Sequence, residues 1–315
     1  MSRPRLLGRP LSRSPRRSWA VLALLPALAL LGGCGGDAEG DSDVPVLRIS
    51  AIPDQDPEEL AAREEALASY LSSALDVEVE YVPVIDYAAS VSLFRAGDLD
   101  TVFYGGLTGV QARLQTPGAT LLAQRDIDAE FRSVFIANAD AGVDPVRDVA
   151  GLDALAGTRF TFGSESSTSG RLMPEYFLAE AGVDPQGDFA GRPGFSGSHD
   201  ATIDLVESGS YEAGALNVQV WEARTAAGRV DTDKVVEVLT TPTYSDYHWL
   251  GGPDLDERFG DGFTEELRTA LLDLDGDTPE ETDVLERYGA GRLVPTEAED
   301  YAQIEEIGRT LGLVS

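Results

Sequence analysis

The sequence predicts an α/β fold made of two lobes that are joined by two crossing strands. Short apolar, β-branched runs alternate with helical patterns, as in parallel sheets covered by helices. The alternation occurs in two series, which strand-like runs at 131–140 and 234–242 connect. A chain of 315 residues is long enough for two domains with cores of their own. We therefore predict lobe 1 at 46–136 and 245–315, and lobe 2 at 137–244.

The elements of lobe 1 follow from local signals. Asp56-Pro57-Glu58-Glu59 is a helix start, with a capping residue, a proline in the first turn and acids at the positive end. Gly97 is placed to end the next helix. In chain order we predict strands at 46–53, 77–84 and 100–106, each followed by a helix, with the helices ending near residues 75, 96 and 114, and then a strand at 119–126.

The second series repeats this order. We predict strands at 159–164 and 211–217, a short strand or loop at 193–197, and helices at 168–181, 199–208 and 218–227. The part after residue 245 is expected to be mostly helical, from 257 to 274 and from 300 to 311, and to pack back on lobe 1.

Residues 1–33 have the composition of an export signal. They contain six arginines and no acid, and the apolar stretch Trp19–Leu31 is short for a membrane span. This stretch ends in LGGC, and Cys34 is the only cysteine of the chain. The pattern is typical of a lipoprotein, with cleavage before Cys34 and lipidation of its thiol. The alternative is an ordinary signal peptide. Residues 34–45 are predicted to be a flexible tether.

The charge excludes several classes of partner. The formal charge is −31, and removal of the six arginines in residues 1–33 leaves −37, with Lys234 as the single lysine. Such a surface repels nucleic acid and anionic lipid headgroups, so contact with a membrane is expected only through a lipid anchor. The acid excess is explained by a high-salt habitat or by solubility alone.

A hydroxyl-rich turn, SSTSG, opens one predicted helix of lobe 2. The first N–H groups of a helix are unpaired and carry partial positive charge, so this turn is an anion site that needs no lysine. Its candidate ligand contacts are Ser166, Ser167, Thr168 and Ser169. The alternative is a capping cluster that satisfies only its own helix.

The turn YGGLTG repeats this design in lobe 1. Gly105 and Gly106 allow close approach of the backbone to a ligand, and Thr108 offers a hydroxyl near a helix start. Tyr104 and Tyr87 are candidate O–H donors, and their alternative role is packing in a half-buried position.

Two further segments supply titratable side chains. In GSHD, His199 is a candidate donor to an oxyanion, and Asp200 is either an acceptor or a helix cap. In YSDYHW, which follows the second crossing strand, Asp246 and Tyr247 are candidate contacts.

These motifs resemble those of the phosphate, phosphite and phosphonate (PhnD-type) binding components of ABC importers. The resemblance rests on DYAASVSLFRAGDLDTVFYGG, FTFGSESSTSGRLMPEYFL, GFSGSHDATIDLVESG and TPTYSDYHW, and it covers about 46–314. It implies a class II periplasmic-binding-protein fold with hinge closure on the ligand. It also implies ligand contacts at Tyr87, Tyr104, Ser167, Thr168, Ser169, His199 and Asp246. The AIPDQDP opening and the FTFGSESSTSGRLMP block are similar to a branch described as selenate binders.

The expected function is that of an extracytoplasmic lipoprotein that binds a small tetrahedral oxyanion and delivers it to a membrane permease. A carboxylate aimed at the ligand accepts a P–OH proton and repels selenate, so the orientation of Asp200 and Asp246 separates phosphonate, phosphite or phosphate from selenate or sulfate. A ligand sensor for a membrane signalling partner is a further alternative. We predict a monomer without cofactor or metal. No enzyme is predicted, because the chain lacks a G-x-S-x-G elbow and a phosphate-binding G-x-x-x-x-G-K-[ST] loop.

Overall fold

The computed structural model describes residues 45–314, so the predicted signal peptide, Cys34 and the tether up to residue 44 lie outside the described residues. The strands are β1 Leu47–Ala51, β2 Val79–Tyr81, β3 Thr101–Tyr104, β4 Thr120–Arg125, β5 Ser133–Asn138, β6 Phe160–Phe162, β7 Gly194–Phe195, β8 Ala213–Asn217, β9 Val235–Thr240, β10 His248–Gly251 and β11 Leu293–Val294. The helices are α1 Pro57–Leu75, α2 Tyr87–Ala96, α3 Gly106–Gln115, α4 Met173–Glu180, α5 His199–Glu207, α6 Val218–Ala226, α7 Leu255–Phe259, α8 Phe263–Leu272, α9 Pro279–Tyr288 and α10 Ala302–Thr310.

The strands form two mixed sheets, which confirms the predicted α/β fold. The first sheet has the order β11-β4-β10-β3-β1-β2, and the second has the order β7-β6-β8-β5-β9. We call the residues around the first sheet lobe 1 and those around the second lobe 2. Strand β5 pairs with β8 and β9 from Ser133 onwards. The second sheet therefore starts at Ser133. We had placed the end of the first segment of lobe 1 at residue 136, three residues later.

Strand direction brings functional loops to one edge of each sheet. In lobe 1, β1 and β3 are parallel, so the loops that follow them leave the same edge. Strand β10 is antiparallel to β3, with His248 opposite Tyr104, so the residues just before β10 reach that edge as well. In lobe 2 the parallel strands β6, β7 and β8 end together.

Helix ends that carry strong capping signals form where the sequence predicts them. The Asp56 side chain caps α1 by accepting from the N–H groups of Glu58 and Glu59. Gly97 ends α2 with φ +76°, a left-handed conformation that glycine adopts without strain. The predicted helix at 168–181 is interrupted, because Thr168–Leu172 forms a π-helical turn before α4 begins.

Three elements were not predicted, namely β10, α9 and β11. Strand β10 is central in its sheet, and it is buried on both sides between β3 and β4. Its four residues are too short for a periodic pattern, so the pairing of neighbouring strands decides its conformation. Helix α9 starts with Thr278, Pro279 and two acids.

The described residues, 45–314, pack as one compact unit. A large core runs through both lobes, and a smaller one lies between β5, β8, α5 and α6 of lobe 2. Within residues 45–314, no helix is long and apolar enough to cross a membrane.

Candidate ligand-binding site

The loops that follow β3 and β6 meet across the two lobes. The Leu107 N–H donates to the Thr168 Oγ1 over 2.9 Å, and the Thr108 hydroxyl donates to the Ser166 carbonyl over 2.8 Å. The structure thus places the two turns that the sequence singled out in direct contact. Thr108 and Ser166 hold the lobes together through this bond.

Small residues make this close approach possible. A Cβ atom on Gly105 would lie 3.2 Å from the Asp246 Oδ1 and 3.3 Å from the Thr168 Oγ1. The neighbouring Gly106 N–H donates to the Asp246 Oδ1 over 2.8 Å, which is possible because it is one of the unpaired donors at the start of α3. Lobe 1 therefore contributes a buried carboxylate that is fixed on a helix N-terminus.

Asp246 is almost fully buried, and its second oxygen, Oδ2, has no hydrogen-bond partner among protein atoms. Burial raises the pKa of this carboxyl to about 7, although the Gly106 N–H and the Thr168 hydroxyl oppose the rise. The group therefore gains or loses its proton near neutral pH.

The π-helical turn of lobe 2 presents the predicted hydroxyls. The Ser167 Oγ caps it by accepting from the Gly170 N–H over 2.9 Å, so Ser167 plays the capping role that the sequence left open. The Ser169 hydroxyl is buried and has no partner. The Thr168 Oγ1 accepts from lobe 1 and lies within hydrogen-bonding reach of Asp246.

His199 is buried at the first position of α5. Its backbone N–H donates to the Asp54 carbonyl over 2.8 Å, and its Nδ1 accepts from the Asn217 N–H over 3.3 Å. Burial lowers the pKa of His199, so the imidazole is neutral and carries its proton on Nε2. This Nε2–H is a buried donor without a partner.

Asp54 was not predicted as a site residue. Its Oδ2 accepts from the Tyr247 hydroxyl over 2.7 Å, and its Oδ1 is buried without a partner. Burial, followed by the nearby carboxylates of Asp54 and Asp246, holds the pKa of Tyr87 well above its usual value. The unpaired Tyr87 hydroxyl therefore lies near both acids. The position of Asp54 just after β1 was an available signal, since strand ends supply ligand contacts in such sheets.

Two predicted residues stand apart from this group. Asp200 uses both oxygens elsewhere, since Oδ2 accepts from the Asp56 N–H over 2.8 Å and Oδ1 from the Arg224 Nη1 over 2.8 Å. It therefore joins the lobes at the rim instead of facing the buried group. Tyr104 is buried, its ring packs edge-on against Phe94, and its hydroxyl, which has no partner at hydrogen-bonding geometry, lies beside Ser90.

The chemistry of the buried group is that of an anion site without arginine or lysine. Its unpaired atoms are the hydroxyls of Tyr87 and Ser169, the Nε2–H of His199, and one oxygen each of Asp54 and Asp246. Buried polar atoms are normally paired, and an unpaired one costs about 1–3 kcal/mol. A small ligand with several oxygens and one hydroxyl would pair the donors and one of the two carboxylate oxygens. Within residues 45–314, no group of three or more His, Cys, Asp or Glu is arranged to hold a metal ion.

Two sheets whose facing edges enclose such a group define a two-lobed binding protein. The chain belongs to the family of ABC transporter, phosphonate, periplasmic substrate-binding proteins, whose model matches residues 49–301.

Three relatives show how far this similarity extends. The chain is 50% identical over 273 residues to the probable ABC transporter phosphite binding protein PhnD1 of Prochlorococcus marinus (strain MIT 9301), covering 87% of this chain and 92% of that one. The solved structure of PhnD1 in complex with methylphosphonate has a TM-score of 0.83, with 85% of this chain and 99% of that chain covered. The phosphate-import protein PhnD of Mycolicibacterium smegmatis is 28% identical, over 53% of this chain and 54% of its own length. A binding protein component of an ABC phosphonate transporter from Pseudomonas aeruginosa shares the fold at 20% identity, with a TM-score of 0.73, covering 84% of this chain and 86% of its own.

Family membership establishes the general function. The protein is an extracytoplasmic substrate-binding protein of an ABC importer, so its partners are a small oxyanion and a membrane permease, and its role is not enzymatic.

Proposed function

We propose that the buried group between the lobes binds a tetrahedral phosphorus oxyanion that carries one P–OH, such as phosphite, methylphosphonate or phosphate. The observation that carries this proposal is the Asp246 Oδ2. This buried carboxylate oxygen has no hydrogen-bond partner, and the donors around it are uncharged. A carboxylate accepts the proton of a P–OH but repels an anion that has no proton to offer. Selenate and sulfate are such anions at neutral pH.

The donors of the site suit the remaining ligand oxygens. We assign O–H contacts to Tyr87, Ser167, Thr168 and Ser169, and an N–H contact to the Nε2 of His199. Hydrogen bonds to a charged partner contribute about 1.5–3 kcal/mol each, so five of them are sufficient for a micromolar site even after the lobes have closed. Tyr104 belongs to the surrounding wall, whereas Thr108, Ser166 and Asp200 hold the lobes together.

The relatives support this class of ligand. The relative from P. marinus, 50% identical, is described as a phosphite binding protein, and its structure was solved with methylphosphonate. The relative from M. smegmatis is described as a phosphate-import protein. In all three ligands a phosphorus atom carries oxygens and at most one small substituent.

Titration calorimetry between pH 6 and pH 9 with phosphite, methylphosphonate, phosphate, sulfate and selenate tests the proposal. The complex needs one proton between Asp246 and the ligand, and both groups lose theirs as pH rises through about 7. We therefore expect affinity for phosphite to fall as pH rises, by up to about tenfold per pH unit above pH 7.

Asp246→Asn removes the shared proton, so we expect it to flatten the pH dependence and to raise the affinity for sulfate relative to phosphite. Asp200→Asn is the matched control, since it makes the same change in a carboxylate whose oxygens are engaged at the rim. It should leave the preference among ligands unchanged. The proposal fails if the protein binds sulfate or selenate as tightly as phosphite, or if the affinity for phosphite does not change from pH 7 to pH 9.

We further propose that the mature protein is a monomer anchored by a lipid on Cys34, with the ligand-binding lobes closing about the segments near residues 126–133 and 240–246. The lipobox-like LGGC sequence supports the anchor. The Cys34→Ala variant should lose its hydrophobic anchor and leave the membrane fraction. If this variant stays membrane-bound, or if the wild type carries no lipid by mass spectrometry, the anchor is excluded.

A further inference from the structure

A cavity lies between the lobes, next to the candidate site. Its volume is about 600 Å³. Lobe 1 lines it with Arg63, Arg125 and Tyr288, and lobe 2 lines it with side chains of α6 such as Val220 and Ala223. We call it the side cleft. Its lining also includes Asp54, Tyr247 and Asn217.

These three residues form a hydrogen-bonded wall. The Asn217 Nδ2 donates to the Tyr247 hydroxyl over 3.3 Å, and the Tyr247 hydroxyl donates to the Asp54 Oδ2 over 2.7 Å. All three residues are at most 4% exposed. We call this chain of bonds, which links lobe 2 to lobe 1, the partition.

The partition also borders the candidate site. The Asn217 N–H donates to the Nδ1 of His199, and the Asp54 carbonyl accepts from the His199 N–H. The negative charges of Asp54 and Asp246 both hold the pKa of Tyr247 well above its usual value, after the larger effect of burial. Each residue of the partition therefore lines the side cleft and lies beside a group of the site.

The partition is suited to face the substituent on phosphorus and not the oxygens of the ligand. The Tyr247 hydroxyl donates its proton to Asp54, so it has none for a ligand, and the free Asp54 Oδ1 repels an anionic oxygen. The oxygens of the ligand are attracted instead to the donors of Ser169, His199 and the π-helical turn. The substituent on phosphorus then points at the partition.

We propose that the partition limits the substituent of the ligand to about the size of a methyl group, and that Tyr247 and Asn217 are specificity-determining residues. This inference rests on the proposed function, because it assumes a phosphorus oxyanion in the site. A longer substituent would have to break the hydrogen bonds of the partition to enter the side cleft. Opening the partition connects the candidate site with the side cleft and admits that substituent.

The experiment measures dissociation constants by calorimetry for phosphite and for methyl-, ethyl- and propylphosphonate. For the wild type we expect propylphosphonate to bind at least 100-fold more weakly than methylphosphonate. Asn217→Ser keeps a side-chain oxygen to cap α6 but removes the donor to Tyr247. Tyr247→Leu shortens the wall while keeping an apolar side chain against Phe103. In each variant we expect propylphosphonate to bind less than tenfold more weakly than methylphosphonate.

Tyr288→Phe is the matched control. Tyr288 lines the side cleft and donates its hydroxyl to a buried carboxylate, that of Glu64, as Tyr247 does to Asp54. Tyr288 is not part of the partition, so Tyr288→Phe should keep the wild-type ratio of the dissociation constants for propyl- and methylphosphonate. Thermal unfolding followed by circular dichroism reports whether each variant is folded, and Asn217→Ser decides alone if Tyr247→Leu does not fold.

The outcomes separate the two proposals. If the wild type binds phosphite but binds propylphosphonate as tightly as methylphosphonate, the partition sets no limit and this inference is wrong. The same follows if the folded variants bind phosphite but keep the wild-type ratio. If the wild type binds neither phosphite nor any phosphonate of the series, the proposed function itself fails.

Discussion

Two neighbouring regions of the molecule handle buried polar groups in opposite ways. In lobe 1, Arg125 makes two hydrogen bonds to the carboxylate of Asp128 and donates a third to the Tyr288 carbonyl, so every donor nitrogen of its guanidinium is engaged. In the candidate ligand site beside it, hydroxyls, an imidazole and carboxylate oxygens are buried without partners. Tyr247 belongs to both regions, because its ring lies 5.0 Å from the Arg125 guanidinium and its hydroxyl contacts Asp54.

This difference separates the scaffold from the site. Buried ions that are fully paired are satisfied by the protein itself, so they offer nothing to a ligand and serve to hold the structure. Unpaired groups lower the stability of the protein unless a ligand pairs them. We therefore expect changes in the first region to act on stability and changes in the second to act on affinity.

The largest effect is expected from breaking the paired region. Arg125→Ala leaves the carboxylate of Asp128 buried without its cation, and such changes destabilise proteins by about 3–5 kcal/mol. Urea unfolding measures this loss. Arg287→Ala, which removes an exposed ion pair with Asp283, is the control and should leave the stability almost unchanged. Equal effects of the two variants would contradict the scaffold role of Arg125.

Asp246 provides the next comparison, since it is a buried carboxylate without a cation. Its pKa is about 7 in the folded protein against 3.8 as the reference, so the folded state binds more protons between these values and stability falls as pH rises through them. Asp246→Asn should remove this loss, making the ligand-free variant more stable than the wild type by about 2–4 kcal/mol at pH 8 but not at pH 4. Denaturant unfolding at both pH values measures the difference. A stability difference that is the same at pH 4 and pH 8 would show that folding does not raise the pKa of Asp246.

Thr168→Val is expected to act mainly on affinity. Its hydroxyl accepts from Leu107 across the lobes and lies near Asp246, so its loss weakens the closed form and removes a ligand contact. We expect affinity for phosphite to fall by about 1–3 kcal/mol, with little change in stability. Thr202→Val is the matched control, because this buried threonine bonds only within lobe 2. If Thr168→Val binds as the wild type does, the Thr168 hydroxyl does not contact the ligand.

The smallest effect is expected at the rim. Arg229 and Glu59 form an ion pair across the lobes, and both side chains are about half exposed. Arg229→Gln should weaken ligand binding by about 1 kcal/mol or less, and the effect should vanish at high salt. Calorimetry at two salt concentrations tests this, and a larger, salt-independent loss would mean that the pair is part of the buried closure contacts.

The sequence predicted the local features of the fold well. Helix α1 starts at the Asp56 cap and α2 ends at Gly97, because these signals act within one turn of the chain. Helix α9 was missed although Thr278-Pro279 repeats the cap-and-proline signal of α1. Strand β10 was missed for a physical reason, since four residues carry no period of their own and pairing on both sides decides their conformation.

The candidate site divides in the same way. Its serines and His199 lie in turns that the sequence could identify from composition, because helix starts select hydroxyls and leave N–H groups free. The roles of the acids depend on where their side chains point, and no local sequence signal distinguishes Asp200 from Asp246. Asp200 is paired with Arg224 and the Asp56 N–H, whereas Asp246 and Asp54 each keep one oxygen unpaired.

By itself, the sequence determined the α/β class, the hydroxyl-rich helix starts and the family to which the chain belongs, because these depend on short-range patterns. Only the tertiary structure decided which carboxylates face the space between the lobes and which residues form the partition. Those contacts join residues as far apart as Asp54 and Tyr247, and their energies depend on burial and on partners that the folded chain alone supplies.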